Sequence, residues 1–304
     1  MHIFKLLLAL VATVSLSACG NASETVVLNT EKPGKPAIWK VTGTSKEQPG
    51  TAYLFGTIHT LPKGISWRTE LLDQVVSESD ELVIEVLGLE DRSNSAKIFS
   101  KLATSPDLPA VEARIAPALH DDLDRVLDKS NIPEIALNRM ESWAAALSLA
   151  SAQSSHLGLR SEEGVERKLV QQFTDAGKAI AGLETIEGQL GYFDKLPETD
   201  QREMLTTVIE DAGTSKNAFE KLFNAWYSGD IAELEKLTEG GILEKPEIRE
   251  KILVARNRDW DNQLHARLQK PGTSLVAVGA AHLVGPDSVQ LMLEKRGYKV
   301  EKIQ

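Results

Sequence analysis

The chain has 304 residues, a formal net charge of −10 at pH 7 and one cysteine, and these properties exclude several classes of function. The acidic balance argues against nucleic acid as a partner, because phosphate binding needs clustered lysine and arginine side chains. With Cys19 as the single cysteine, the rest of the chain has no disulfide and no thiolate metal site. A bound metal must therefore be held by histidine, carboxylate or carbonyl oxygen. The length suffices for one large domain or two small ones.

Residues 1–18 are predicted to be a signal peptide. Lys5 gives a short basic start, and residues 6–16 form an apolar stretch that is too short to cross a bilayer as a helix. The tetrapeptide Leu16-Ser17-Ala18-Cys19 then resembles a bacterial lipobox, in which cleavage before the cysteine leaves its thiol to carry lipid. The alternative is an ordinary signal peptide that happens to contain a cysteine. We expect export and lipidation at Cys19.

The mature chain is predicted to consist of a lipidated tether, residues 19–36, and one domain, residues 37–304. The tether is polar and has no periodicity. Gly20, rather than an aspartate, follows the cysteine, which fits sorting to the bacterial outer membrane with the domain facing the periplasm. Because no later apolar run approaches about 20 residues, the lipid is expected to be the sole membrane anchor.

Strand patterns cluster at the two ends of the domain, and helical patterns fill its middle. The first end predicts a hairpin at 37–42 and 51–58, a helix at 67–79 and a buried strand at 81–87. The middle predicts mostly helix over 94–173, a strand at 178–184, and helices at 185–194, 198–212, 215–227, 229–237 and 246–268. The last end predicts a strand at 273–278, a helix at 286–296 and a strand at 298–303. We predict an α/β fold with an α+β tendency, in which a central mixed sheet carries a large helical insertion.

Two strand patterns end in the same motif, Gly-x-x-His. The first is Gly56-Thr57-Ile58-His59 and the second is Gly279-Ala280-Ala281-His282. Open α/β sheets place ligand sites at the carboxyl ends of their strands, and a glycine there permits a sharp turn. If both strands lie in one parallel sheet, the two imidazoles could supply half of a divalent-metal site. They could instead act as general base and transition-state donor without a metal, or each could cap a loop.

Three acids and an Arg-Asn pair are the other candidate site residues. Glu85 lies in the middle of an apolar strand, where a carboxylate is costly to bury unless it is paired or binds a metal. The alternative is an edge strand with Glu85 facing water. Glu184 ends another strand, and Glu166 lies in a first helical turn, where it could also complement the helix dipole. Arg256-Asn257 could stabilise a carboxylate or an oxyanion, although a solvated helix face is the default explanation.

These residues and their neighbours, taken in order over residues 37–302, resemble the TraB/GumN family, also called Tiki-like. The matching motifs are Leu54-Phe55-Gly56-Thr57-Ile58-His59, Trp67, Glu85, Gly164-Val165-Glu166, Leu183-Glu184-Thr185-Ile186-Glu187 with Gln189, Arg256-Asn257, and residues 278–287. The chain is most similar to GumN-type bacterial lipoproteins of that family. Ala281 departs from the pattern, since relatives often have glycine before this histidine.

The resemblance implies an α/β fold with a helical insertion and a hydrolytic or proteolytic enzyme. Animal relatives called Tiki are regarded as metal-dependent proteases that favour manganese or cobalt. Similar sites occur in erythromycin esterases and in ChaN-like haem-uptake proteins, whose chemistry or ligand differs.

Our leading hypothesis is a lipid-anchored, metal-dependent hydrolase, in particular a peptidase, acting on a peptide or protein. His59, Glu85 and His282 would bind Mn²⁺, Co²⁺ or Zn²⁺, and Glu166 or Glu184 would move the proton. Arg256 with Asn257 would hold the substrate or the developing oxyanion. The alternatives are an envelope protein that binds a ligand or peptide without turnover, and a metal-free hydrolase.

Overall fold

A computed structural model describes Val26, Leu28 and residues 30–304 of the chain. The predicted signal peptide, residues 1–18, and Cys19 lie outside the described residues, as does most of the first half of the predicted tether. The described part of the tether lies against the domain, since the Val26 amide donates a hydrogen bond to the Leu157 carbonyl (3.3 Å). No helix of the described residues is long and apolar enough to cross a membrane.

The strands and helices follow the predicted order closely. The strands are β1 (Ile38–Thr42), β2 (Thr51–Thr57), β3 (Glu81–Val86), β4 (Ala179–Glu184), β5 (Thr273–Gly279) and β6 (Lys299–Lys302). The helices of the first half are α1 (Glu70–Glu78), α2 (Arg92–Ala103), α3 (His120–Ser130), α4 (Glu134–Leu137), α5 (Ser142–His156) and α6 (Val165–Asp175). The helices of the second half are α7 (Ile186–Asp194), α8 (Glu198–Glu210), α9 (Ser215–Ser228), α10 (Ile231–Thr238), α11 (Pro246–Arg249), α12 (Ala255–Leu268) and α13 (Val289–Lys295).

One mixed sheet unites the two ends of the chain, in the order β4-β3-β5-β2-β1-β6. The neighbours β4-β3, β3-β5 and β5-β2 are parallel, whereas β1 is antiparallel to both β2 and β6. The predicted hairpin of β1 and β2 is therefore confirmed, as is the α/β class. The four parallel strands end at the same edge of the sheet, which is where such sheets place their ligand sites.

Helices cover both faces of the sheet. Side chains alternate between the two faces along each strand, so each strand contributes apolar residues to both layers of helices. On one face Phe55, Ile84 and Ala277 pack against α1, α6 and α9. On the other face Leu54 and Val276 pack against α12 and α13. Near-continuous apolar strands are expected where both faces are buried.

The helical insertion forms a core of its own. Helices α2, α3, α5, α7 and α8 pack around the buried Trp143, whose ring makes an edge contact with Phe99 and stacks on Phe193. Val86, the last residue of β3, and Ala281 also belong to this core. The insertion therefore sits directly over the carboxyl ends of the parallel strands.

Two predicted helix starts are wrong by three residues. The helix predicted over 67–79 begins at Glu70, where the Thr69 side chain caps the first turn by accepting a hydrogen bond from the Leu72 amide (3.1 Å). The helix predicted over 286–296 begins at Val289, and the Asp287 carbonyl before it accepts a hydrogen bond from Asn257. The helix predicted over 246–268 is present over this range and contains a π-helical turn, Glu250–Val254, whose Ile252 carbonyl accepts a hydrogen bond from Nη1 of Arg256 (3.2 Å).

Candidate functional site

The two Gly-x-x-His motifs lie side by side. Strands β2 and β5 are parallel neighbours, and Thr57 is in register with Gly279. His59 follows β2 directly, and His282 lies in a short 3-10 turn, Ala280–Leu283, that follows β5. Both imidazoles are buried, at the edge where the four parallel strands end.

Gly56 acts through close approach, whereas Gly279 has an ordinary backbone angle. The φ of Gly279 is −51°, which any residue adopts, so this position does not use the conformational freedom of glycine. At Gly56 an added Cβ would lie 3.2 Å from the Cα of Ala280, so the two motifs pack backbone against backbone. Ala281 has no positive φ, and an alanine therefore fits this turn without strain.

Glu85 lies on β3, an interior strand flanked by β4 and β5, which rules out the edge-strand alternative. Its Oε1 accepts a hydrogen bond from the Gly279 amide (2.6 Å). Its Oε2 accepts hydrogen bonds from Nη2 of Arg256 (3.0 Å) and from Nε2 of Gln189 (3.3 Å). Three donors thus stabilise the buried carboxylate, which explains how an acid is tolerated inside an apolar strand.

Glu166 reaches the same place from the first turn of α6. Gly164 fits this helix against β2, because an added Cβ there would lie 2.1 Å from the His59 carbonyl oxygen. In this position Oε1 of Glu166 lies 2.5 Å from Nδ1 of His59 and accepts a hydrogen bond from Oγ1 of Thr57 (2.5 Å). Burial would raise the pKa of Glu166, but His59 and Thr57 lower it, so the carboxylate is ionised.

His59 is the residue around which the carboxylates gather. Burial alone would lower the pKa of His59, but the Glu166 carboxylate outweighs it and raises this pKa to about 9. Neither ring nitrogen makes a hydrogen bond of normal geometry with a described residue. A buried imidazole without hydrogen bonds is expensive, and coordination of a cation is one way to satisfy it.

His59, Glu85 and Glu166 form a group that could hold a metal ion, because one ligand atom from each lies within 4.8 Å of the others. An imidazole with two carboxylates suits Mn²⁺, Co²⁺ or Zn²⁺ by ligand type. The group differs from the predicted ligand set of His59, Glu85 and His282, because Glu166 takes the place of His282 in it. His282 lies at its border, where Nε2 is 3.8 Å from Oε1 of Glu85.

The protonation of His282 follows from its partners. Asn257 donates through Nδ2 to the Asp287 carbonyl (2.7 Å), which directs its Oδ1 toward Nδ1 of His282 at 2.5 Å. Because Oδ1 can only accept, Nδ1 carries the proton and Nε2 is the acceptor nitrogen. Burial and the guanidinium of Arg256, whose Nη1 lies 3.3 Å from Nε2, hold the pKa of His282 well below its usual value. His282 is therefore neutral.

Arg256 is the buried cation that balances the acids. It donates to Glu184 through Nε (2.8 Å) and Nη2 (3.0 Å), and Nη2 also reaches Glu85. Trp260 supports the pair, since its Nε1 donates to Glu184 (2.8 Å) and its ring lies 4.9 Å from the guanidinium carbon. Burial would lower the pKa of Arg256, but the two carboxylates raise it, so the side chain stays charged.

A cleft of 460 Å³ leads from solvent to the metal-binding group, between the end of β3 and helix α6. His59, Glu85 and Glu166 line it, together with the apolar Val86 and Leu89. Glu184, Arg256, Asn257 and His282 do not line it. Of the two carboxylates in the metal-binding group, Glu166 is the more accessible, with 15% of its side chain exposed against 4% for Glu85.

The structure thus gathers all seven predicted residues into one region with two layers. His59, Glu85 and Glu166 lie at the cleft, and His282, Glu184, Arg256 and Asn257 lie behind them. Their predicted chemical roles remain predictions. Thr57 and Trp260 contact Glu166 and Glu184 but were not singled out from the sequence. A polar residue at the end of an apolar strand was the available signal for Thr57.

Comparisons with known proteins show the family of the chain. A family model described as the TraB/PrgY/gumN family matches residues 37–302. The chain is 25% identical to the uncharacterized protein YbaP of Escherichia coli (strain K12) over 241 residues, 79% of this chain and 87% of that protein. It is 23% identical to an uncharacterized protein of Treponema pallidum (strain Nichols) over 299 residues, 92% of this chain and 87% of that protein. No solved structure matches the chain.

Proposed function

Since the chain belongs to the TraB/PrgY/gumN family, we propose that it is a metal-dependent hydrolase, in particular a peptidase, that works at His59, Glu85 and Glu166. The observation that carries this proposal is the buried imidazole of His59, which faces two carboxylates. Its Nδ1 lies 2.5 Å from Glu166, and its Nε2 makes no hydrogen bond with a described residue. A buried ring nitrogen without a partner, beside acids that line an open cleft, favours a cation site.

In this proposal His59, Glu85 and Glu166 hold Mn²⁺, Co²⁺ or Zn²⁺. A bound divalent ion would supply Lewis acidity and a lowered pKa of water near neutral pH. Glu166 moves the proton, because it is the more exposed of the two carboxylates in the metal-binding group. Glu184 is the weaker candidate for this proton transfer, since its carboxylate oxygens already accept hydrogen bonds from Arg256 and Trp260.

The residues behind the cleft position the residues that line it. Arg256 donates a hydrogen bond to Glu85 near the end of β3, and its guanidinium is already bonded to two carboxylates. We therefore assign it to the orientation of Glu85 rather than to contact with substrate. Asn257 likewise acts through the tautomer of His282. Groups behind the ligands commonly tune a metal site in this way.

A peptide is the proposed substrate on two grounds. The cleft combines an apolar wall at Val86 and Leu89 with polar groups at its base, as sites for amphipathic ligands do. The resemblance of the Gly-x-x-His motifs to Tiki proteins also favours peptide hydrolysis.

Metal binding can be tested by calorimetry of the purified chain with Mn²⁺, Co²⁺ and Zn²⁺ near neutral pH. We expect one tight site, which His59→Ala and Glu166→Gln abolish while the circular dichroism spectrum stays unchanged. His120→Ala is the matched control, because His120 pairs with the partly exposed Glu112 away from the cleft. If the wild-type chain binds none of the three ions, the metal-dependent proposal is wrong.

Turnover can be separated from binding by digestion of a peptide library with each ion and with a chelator. A peptidase produces new termini that mass spectrometry detects and that Glu166→Gln removes. Ion binding without new termini would instead support a ligand-binding protein.

A metal-free hydrolase is the second candidate, and the contact of His59 with Glu166 favours it. A protonated imidazole held 2.5 Å from a carboxylate could act as a general acid without any ion. Turnover that resists the chelator and survives metal stripping would select this candidate.

We also propose that the protein is exported and held at the outer membrane by lipid on Cys19, facing the periplasm. The support is the Leu16-Ser17-Ala18-Cys19 tetrapeptide, which follows an apolar stretch of leader-like length. In this position the domain would meet peptides of the envelope.

A further inference from the structure

Arg167 lines the cleft, next to Glu166 in the first turn of α6, and is half-buried. It makes no hydrogen bond and no ion pair with any residue that the structure describes. A backbone hydrogen bond and Arg92 lower the pKa of Glu162, which also lines the cleft, and the Arg167 guanidinium lowers it further through electrostatic attraction without an ion-pair contact.

Other charged groups of the cleft are already paired or solvated. Lys168 pairs with Glu163 (3.1 Å), and Glu162 pairs with Arg92. Glu90 is exposed and keeps its hydration. A partly desolvated guanidinium without a partner is unusual, because it loses water without gaining a carboxylate. Arg167 is therefore the group in the cleft that a bound anion would stabilise.

Arg167 lines the same cleft as the metal-binding group. Gly164 brings the first turn of α6 close to the His59 backbone, and Glu166 of the same turn contacts the imidazole. An anion bound to Arg167 would therefore lie in the cleft that leads to the proposed reaction centre. Rigid elements position such contacts more precisely than loops do.

The apolar wall of the cleft indicates that the ligand also carries an apolar group. Val86, Leu89 and Val170 give it an apolar side. A ligand that suits both features carries an apolar group and an anion close to the bond that is cleaved. A planar guanidinium matches the two oxygens of a carboxylate.

We propose that Arg167 selects substrates by binding a carboxylate located next to the scissile bond, with the neighbouring apolar side chain against Val86, Leu89 and Val170. This inference rests on the proposed hydrolase function and names its substrate class. The carboxylate belongs to the carboxyl terminus of a peptide or to an acidic side chain, and the two sources share the same chemistry at Arg167.

Three probes distinguish these sources: an acetylated alanine-leucine-alanine tripeptide with a free carboxyl terminus, its amide, and an amide whose last alanine is replaced by aspartate. Their binding to the full chain is measured by calorimetry, and their hydrolysis is followed as KM and kcat. The free-carboxylate probe is expected to bind about 10–100-fold more tightly than the plain amide, the range for a hydrogen bond to a charged group. Tight binding of the aspartate probe alone would assign the acidic side chain as the source.

Arg167→Gln should remove this preference, raising KM for the preferred probe by about 10–100-fold while kcat changes little. Arg167→Lys should restore only part of it, since lysine lacks the planar fork. Lys168→Gln is the matched control and should change KM less than about two-fold, because its partner is the neighbouring Glu163.

Equal affinity for all three probes, or an unchanged preference in Arg167→Gln, would overturn the inference. Failure of the hydrolase proposal has a different signature, because no probe would be cleaved while the calorimetric preference for the carboxylate persisted and still depended on Arg167.

Discussion

The Oδ1 atom of Asn257 lies 2.5 Å from Nδ1 of His282, and this contact fixes the position of a proton. The Asn257 amide cannot turn around, because its Nδ2 donates to the Asp287 carbonyl. His282 therefore presents the lone pair of Nε2 toward Arg256 and Glu85. Asn257, on helix α12, thus sets the tautomer of His282, which follows strand β5.

Asn257→Leu is expected to remove this control. The imidazole of His282 would lose the acceptor that selects its tautomer. Because His282 borders the ligand Glu85, metal affinity or activity should fall about 10–100-fold, the range for losing a group that supports a metal site from outside its ligands. Nitrogen-15 NMR of the ring would show mixed tautomers. Asn257→Asp keeps the acceptor for Nδ1 and should retain a single tautomer. A single Nδ1-protonated form in Asn257→Leu would contradict the role assigned to Asn257.

Arg256→Met is expected to destabilise the fold strongly. Glu85 and Glu184 would remain buried without their counterion, which costs about 3–5 kcal/mol when one partner of a buried pair is removed. Urea denaturation measures the change. Arg258→Gln on the same helix is the matched control, because Arg258 is 56% exposed and should change stability by less than about 0.5 kcal/mol. Equal effects of the two variants would show that the buried network contributes no stability.

Gly164→Ala is expected to separate helix α6 from the end of β2. The added Cβ would lie 2.1 Å from the His59 carbonyl oxygen, so the helix must shift, at a cost of about 1–3 kcal/mol. The shift also moves Glu166 from His59, and metal affinity should fall with stability. Gly213→Ala serves as the control, since nothing lies within 4 Å of its added Cβ. Both are measured by thermal unfolding with and without Mn²⁺, and an unchanged metal affinity in Gly164→Ala would argue against Glu166 as a ligand.

A divalent ion is expected to stabilise the wild-type chain. An ion at 100 times its Kd adds about 2.7 kcal/mol to the free energy of unfolding when it binds only the native state. The shift in Tm should disappear on addition of chelator and in Glu166→Gln. A shift of equal size in Glu166→Gln would place the bound ion elsewhere in the protein.

Cys19→Ser is expected to release the protein from the membrane. The lipid is the proposed anchor, so wild-type chain should appear in the membrane fraction and the variant in the soluble periplasmic fraction. Metabolic labelling with a radioactive fatty acid gives an independent readout. Unlabelled wild-type protein would favour an ordinary signal peptide.

Most of the fold was predictable from the sequence because its signals are local. Alternating or continuous apolar runs predicted the six strands, and periodic spacing predicted most helices within a few residues. The errors were helix starts predicted three residues early, at α1 and at α13, and at α13 the Asp287 carbonyl accepts a hydrogen bond from Asn257 of another helix. A side chain that bonds to a backbone carbonyl from another element leaves no local pattern.

The sequence by itself determined that two histidines, three acids and an Arg-Asn pair belong to one site, because each marks a strand end or a helix in an unusual local context. Only the tertiary structure decided which of these residues line the cleft and which lie behind it. Glu166 joins His59 and Glu85 at the cleft, since Gly164 allows α6 to approach β2, while His282 lies behind them with Asn257 and Arg256. Which residues line the cleft depends on how closely the backbones of α6 and β2 approach each other. The spacing of residues along the sequence carries no information on such distances.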